Sequence, residues 1–308
     1  MKQVAYITDD IYLKHDPGSM HPESPKRLSA INEAIEPLRG SLIFKAPMKV
    51  SEDMIELVHP FEHIETIKKT SEHAGSIDSD TVCSVDSYEA ALTAVGAGIV
   101  ALDGIKSGAF ERAFCAVRPP GHHATPTQAM GFCLFNNIAI AARYAQSIGY
   151  QKVMIIDFDV HHGNGTQDIF YEDDSVFYFS THQAYAYPGT GAEAQRGEGA
   201  GEGYTANFLM MPESRDEELL EVYMHEMPRC VERFQPDIIL VSAGYDLHES
   251  DPLASLNITS EGIRKVVRLI LDSAEVPFVF FLEGGYNLNA LGESVKLTLE
   301  EMLKNTSS

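Results

Sequence analysis

Residues 157–164 read DFDVHHGN and follow directly on the apolar run VMII at 153–156. Apolar or β-branched at every position, that run predicts a strand buried on both faces, as in a parallel sheet. The polar cluster begins where the strand must stop, and in open α/β sheets the crevice at the carboxyl ends of the strands is where ligands bind. Asp159 and His161 are two apart and share one face of any extended backbone, while His162 faces the other way. Such a pair can grip one metal ion. A polar strand end also serves as a helix cap or a satisfied hydrogen-bonding group. Four acids and imidazoles in one short segment go further, because desolvated groups of this kind are costly unless paired with each other or with a metal.

Composition bounds the rest. A chain of 308 residues with 44% hydrophobic content can bury a substantial core. No window reads as the roughly 18 to 20 apolar residues that span a bilayer, and MKQVAYITDD meets acids too soon for a signal peptide. A cytoplasmic location with no membrane partner is expected. Cys83, Cys115, Cys133 and Cys230 lack C-x-x-C spacing and read as buried thiols. The formal charge of −22 repels phosphate backbones and favours a cationic substrate over nucleic acid.

Along the chain, residues 4–8 predict a first strand, and residues 28–38 a helix after the irregular loop HPESPKR, with Arg27 at its exit. Residues 51–72 predict a helix. Residues 86–105 predict a long one, capped by Asp86 and small at Ala94, Gly96 and Gly98 for close packing on a sheet. Apolar runs then recur, each followed by polar or glycine-rich text: 113–117 before RPPGHHA, 153–156 before DFDVHHGN, 176–179 before STH, 238–241 before SAGYD, and 278–282 before EGGYN. Helical stretches at 136–147, 216–234, 259–274 and 288–303 alternate with them, which predicts one α/β domain over 1–308 with a parallel, helix-flanked sheet.

The strand-end residues His122, His123, Asp157, Asp159, His161, Asp246 and Tyr286 should converge on one rim. A catalytic zinc takes three protein ligands and leaves a position for water, and Asp159, His161 and Asp246 fit that requirement. His122 and His123 would handle protons, and Tyr286, after two glycines that permit a sharp turn, could reach a developing oxyanion. Singly, each has a plain structural reading: Tyr286 as loop packing, Asp246 as a turn cap. Their joint occurrence carries the functional one.

RPPGHHA (118–124), MGFCLFNN (130–137), DFDVHHGNGTQ (157–167), SAGYD with DPL after it (242–253) and EGGYN (283–287) resemble, in order, the motifs of the zinc-dependent histone deacetylases, closest to the class II and bacterial members. The resemblance implies the arginase/deacetylase fold, a single α/β domain on a central, mainly parallel eight-stranded sheet. It implies one zinc on Asp159, His161 and Asp246, with His122 and His123 as the catalytic pair. Asp157 would hold the first of these and also contact a structural potassium ion together with Ser180 and Thr181. Asn164 would hold the second; class I relatives have Asp there. Tyr286 would be the oxyanion tyrosine, which vertebrate class IIa members replace with His. Gly131, Phe132 and Tyr187 would line the acyl-lysine tunnel, although the last is usually Phe in the family. Arg27 resembles an arginine near the product path, and His162 has no zinc role.

The activity implied is removal of an acetyl or other acyl group from a lysine side chain of a protein or peptide, through metal-activated water. A polyamine-specific relative carries glutamate seven residues beyond the last zinc aspartate, where this chain has Leu253, and that favours lysine over polyamine. The alternative within enzymes is an acetylpolyamine amidohydrolase acting on small acylated amines, with Glu249 or Asp251 supplying the charge. A non-catalytic acyl-lysine binding module would be expected to lack Tyr286 or one histidine, and both are present. Ureohydrolases share the implied fold but need two metals and more aspartates.

Overall fold

The computed structural model describes residues 2–304, so the ends of the expected 1–308 domain lie outside the described residues. In chain order the elements are β1 (Val4–Ile7), α1 (Lys26–Ala34), β2 (Ile43–Lys45), α2 (Glu52–Ile55), α3 (Phe61–Glu72), α4 (Ser87–Lys106), β3 (Arg112–Cys115), α5 (Asn137–Ser147), β4 (Val153–Asp157), α6 (Asn164–Phe170), β5 (Val176–Gln183), β6 (Thr205–Met210), α7 (Asp216–Phe234), β7 (Ile238–Ala243), α8 (Ser260–Asp272), β8 (Phe278–Leu282) and α9 (Leu288–Met302). All eight strands form one sheet in the order β2-β1-β3-β8-β7-β4-β5-β6. Every pairing is parallel, so the sheet is wholly rather than mainly parallel.

The continuous apolar runs became the central strands, whose residues are fully buried, as a sheet covered on both faces requires. Two strands were not anticipated, β2 and β6, and they are the two sheet edges. Partly exposed, they do not need unbroken apolar text: IFK and TANFLM mix polar with apolar residues. The helix expected over 51–72 is two, α2 and α3, because Pro60 disfavours helical geometry at the residue before it.

Two expectations for the long helix need correction. Asp86 precedes α4 but makes no side-chain cap. The helix is also long and apolar enough to span a membrane by length and composition, contrary to the reading of the sequence, yet 67% of its apolar window is buried inside the protein. Its small residues explain the packing. A Cβ on Gly98 would run into the Phe281 ring of β8, and one on Gly96 into the Met48 carbonyl.

Beside α4, His59 and His63 stack with ring centroids 4.6 Å apart. His59 Nδ1 donates to the Pro126 carbonyl at 3.1 Å, and its Nε2 accepts from the Asn136 amide at 2.9 Å. Neither nitrogen is left for a further proton, and burial, then the neighbouring His63, pushes His59 down to about 3. The folded value lies below the unfolded one, so nothing changes above about pH 6.5. Below it the unfolded chain takes up a proton that the folded chain refuses, and stability is lost as pH falls toward 3. We predict that His59→Gln flattens the fall in unfolding free energy between pH 6.5 and 4 by up to about 1.4 kcal/mol per pH unit. Denaturant unfolding across that range measures it, and parallel curves for the two proteins would remove His59 as the cause.

Candidate active site

The parallel arrangement sends every strand's carboxyl end to the same edge, and β3, β8, β7 and β4 are consecutive neighbours there. Asp157 ends β4, with Asp159 and His161 just beyond it; Asp246 follows β7, and Glu283 to Tyr286 follow β8. His122 and His123 come off the segment after β3. The expected convergence holds for all of these groups. Ligand atoms of Asp159, His161 and Asp246 lie within 4.8 Å of one another. His161 Nδ1 is 3.1 Å from Asp246 Oδ2 and 3.3 Å from Asp159 Oδ1. His162 turns away, as expected of its parity, to Thr190 Oγ1 at 2.8 Å and Gln167 Oε1 at 3.0 Å.

Backbone amides fix the acids. Gly284 N donates to Asp159 Oδ2 at 2.8 Å, His161 N to Asp159 Oδ1 at 2.9 Å, and Val160 N to Asp246 Oδ1 at 3.1 Å. The approach needs glycine at 284, since a Cβ there would collide with both carboxylates. Asp159 and Asp246 are nonetheless buried like charges. Burial first, then Asp159, pushes Asp246 up to about 7. A bound cation relieves both acids at once.

The two histidines sit 4.1 Å apart by ring centroid in unlike surroundings. His122 Nδ1 donates to Asp157 Oδ2 at 3.0 Å. Burial opposes charge on its ring, but Asp157, Asp159 and Glu283 outweigh burial and raise it to about 10. His123 Nδ1 donates to Asn164 Oδ1 at 2.9 Å, and burial followed by the charges of His122 and His161 holds it well below its ordinary value. One imidazole is therefore held charged beside a neutral one.

A cavity of about 260 Å³ reaches this cluster, lined by Asp80, His123, Gly131, Phe132, His161, Tyr187, Leu253 and Tyr286. The rings are set edge to face: Phe132 against Tyr286 at 5.8 Å and Tyr187 against His123 at 5.1 Å. Asp251 does not face the cavity. It is buried and accepts from the amides of Tyr286 at 2.6 Å, Asn287 at 3.1 Å and Leu253 at 3.0 Å, so its charge is committed to the loop. Ser180 lies opposite Asp157 in the β4–β5 register, with its hydroxyl 2.9 Å from His182 Nδ1, and Thr181 Oγ1 is 3.0 Å from the Tyr223 hydroxyl.

Three features escaped the sequence reading. Asp80 stands in the cavity wall, in a turn with no distinguishing text. Glu283, inside a motif already quoted, is buried and accepts from the amides of Gly121 at 2.7 Å and His122 at 3.2 Å and from Ser242 Oγ at 3.0 Å. Glu23, in HPESPKR, is fully buried between Arg27 and Arg118. Arg27 in turn donates to the Gly285 carbonyl at 2.7 Å and lies 5.1 Å from the centre of the Tyr286 ring.

A parallel α/β sheet carrying a paired-imidazole cluster beside two acids and a third imidazole defines an enzyme class, the hydrolases that work beside a bound cation. The histone deacetylase domain model matches residues 21–302, and the chain belongs to that family, whose members are zinc-dependent hydrolases. It is 42% identical to Histone deacetylase 10, chloroplastic, of Oryza sativa subsp. japonica, covering 92% of this chain and 70% of that one. It is 36% identical to a histone deacetylase-like amidohydrolase of Pseudomonas aeruginosa, covering 86% and 72%. Among solved structures, the crystal structure of the HDA15 HD domain superposes with a TM-score of 0.94 at 34% identity, over 98% of this chain and 90% of that one.

Gly131 gives the wall its sharpest requirement. Its φ is +56°, and a Cβ would press into the His123 ring. Gly131→Ala should therefore destabilise the fold by about 1 to 3 kcal/mol and lower hydrolytic activity by more than the unfolded fraction explains. Denaturant melts paired with rates at a temperature where the variant stays folded check this, and wild-type values for both would show that the backbone there is not constrained by His123.

Proposed function

We propose that the chain hydrolyses the amide of an Nε-acyl-lysine side chain in a protein or peptide. One observation carries the reading. A cavity of about 260 Å³ walled by Phe132, Tyr187, Gly131 and Leu253 has His123, His161 and Tyr286 in its lining, so an apolar-walled passage brings an extended side chain to the acid cluster. Asp159, His161 and Asp246 would hold one zinc ion; their two oxygens and one nitrogen are a donor set that zinc accepts, and the repulsion between the acids favours it. Bound there, zinc supplies Lewis acidity toward a carbonyl and a water acidic near neutral pH.

The chain's own groups do the rest. With Nδ1–H donated to Asn164, His123 presents the lone pair of Nε2 and takes the proton of the attacking water. His122, oriented by Asp157, supplies positive charge beside it. Tyr286, with its backbone held by Asp251 and its ring against Phe132 and Arg27, donates its phenol to the oxyanion. His123 passes that proton to the leaving nitrogen as the C–N bond breaks, and the carboxylic acid formed gives up its own proton, so that the products are a carboxylate and a protonated amine. Asp157, Ser180 and Thr181 are proposed to hold a potassium ion beneath the site, a reading supported by the pairing of Asp157 with Ser180 across two buried strands. Apolar Leu253 at the mouth favours a lysine stem over a polyamine. Asp80 at the same mouth favours the competing substrate, a small acylated polyamine whose distal ammonium it could pair with.

Tyr286→Phe should lower kcat by roughly two to three orders of magnitude with little change in KM, because a hydrogen bond to an oxyanion strengthens mainly in the transition state. Steady-state kinetics on an acetyl-lysine peptide decide it, and an unchanged kcat would return Tyr286 to loop packing. For substrate class, kcat/KM for that peptide should exceed that for acetylspermidine, and Leu253→Glu should move the ratio toward the polyamine by about fivefold or more, the effect of a carboxylate near an ammonium at a wet surface. A tenfold advantage for the polyamine in the wild type would overturn the lysine assignment.

A further inference from the structure

Beside the tunnel mouth lies a second cavity of about 500 Å³, lined among others by Pro17, Met20, His21, Pro22, Phe132 and Leu253, with Asp80 at its junction. Phe132, Leu253 and Asp80 line both cavities, so the groove opens directly onto the place where an acyl-lysine would enter. Met20 at its edge is 93% exposed. Its turn is nevertheless firmly tied. His21 Nε2 donates to the Asp80 carbonyl at 2.8 Å, and its ring meets Phe132 edge to face at 4.7 Å. Farther out, Gly18 N donates to Asp16 Oδ1 at 3.0 Å, Asp16 N to Ser84 Oγ at 3.1 Å, and His21 N to the Gly18 carbonyl at 3.0 Å. On the other side Glu23 is fully buried against Arg118. A large apolar side chain carried on so firmly anchored a turn loses the free energy of burial for as long as nothing covers it.

We propose that this groove is a subsite for the residue adjacent to the acylated lysine, and that it selects polypeptide substrates with a large apolar residue there and disfavours an acidic one. The inference rests on the acyl-lysine reading above and adds the sequence context that reading leaves open. A volume of about 500 Å³ has room for one aliphatic or aromatic side chain, which would cover Met20, Leu253 and the proline rings. Among its lining residues the carboxylate is that of Asp80, which repels a glutamate carried at the same position. A free acyl-amine has no neighbouring residue and cannot use it.

The test compares acetyl-lysine peptides that carry leucine, glycine or glutamate, placed in turn before and after the lysine. In the wild type, kcat/KM should follow leucine over glycine over glutamate at one of the two positions, with about a tenfold step from leucine to glycine. Met20→Glu should remove most of that step, lowering the leucine peptide about tenfold more than the glycine peptide. Met20→Leu should preserve it, separating apolar contact from any damage to the turn. Equal rates on the leucine and glycine peptides at both positions would overturn the subsite and leave the acyl-lysine reading standing. Hydrolysis of acetylspermidine with no cleavage of any peptide would overturn both.

Discussion

Two buried carboxylates of like charge, Asp159 and Asp246, stand side by side at the ends of adjacent strands, and the rest of the site is arranged around the difficulty they create. Neither acid is left to water. Amides of residues 160, 161 and 284 are spent on them, an imidazole is wedged between them, and position 284 carries no side chain so that the β8 segment can approach. Such a cluster is unfavourable when empty and strongly favourable around a divalent cation, because interactions of ions in a water-poor interior are several times stronger than at the surface. The wholly parallel sheet makes this possible, since it delivers four neighbouring strand ends to one edge without a reversal.

Behind the site a second ionic layer supports the tyrosine. Glu23 lies between two buried arginines and His15; burial opposes its charge, but Arg118 and His15 hold its carboxyl well below the usual range. Through Arg27 this layer fixes the carbonyl of Glu283, just before the Gly-Gly pair, and that of Gly285, its second member. The phenol of Tyr286 is therefore placed by the N-terminal loop as much as by its own strand. Removing one member would strand an uncompensated charge in the interior, which typically destabilises by about 3 to 5 kcal/mol.

Much of this was legible from residue order because central parallel strands must be apolar throughout, and the text changes abruptly at their polar ends. The runs at 153–156, 238–241 and 278–282 are such cases, and with them came the acids and histidines. What stayed hidden was whatever lacks a one-dimensional signature. The edge strands β2 and β6 are half in water and need no apolar run. Asp80 is one of two aspartates in the short turn SIDSD at 76–80. Glu23 pairs with Arg27 one helical turn on, but also with Arg118, 95 residues later in the chain, which no local pattern announces. Asp251, open in the sequence as a charge for a polyamine alternative, accepts instead from three backbone amides, and nothing in sequence distinguishes a carboxylate that faces a ligand from one that caps a loop.

The central claim is that Asp159, His161 and Asp246 form one cation site, and thermal unfolding of the metal-free protein during zinc titration tests it most directly. The account predicts saturation at one zinc per chain with a rise in Tm, since a ligand that binds only the folded state stabilises it. The rise should be absent in Asp246→Asn at the same zinc concentrations. A Tm indifferent to zinc, or an equal rise in the Asp246→Asn variant, would contradict it.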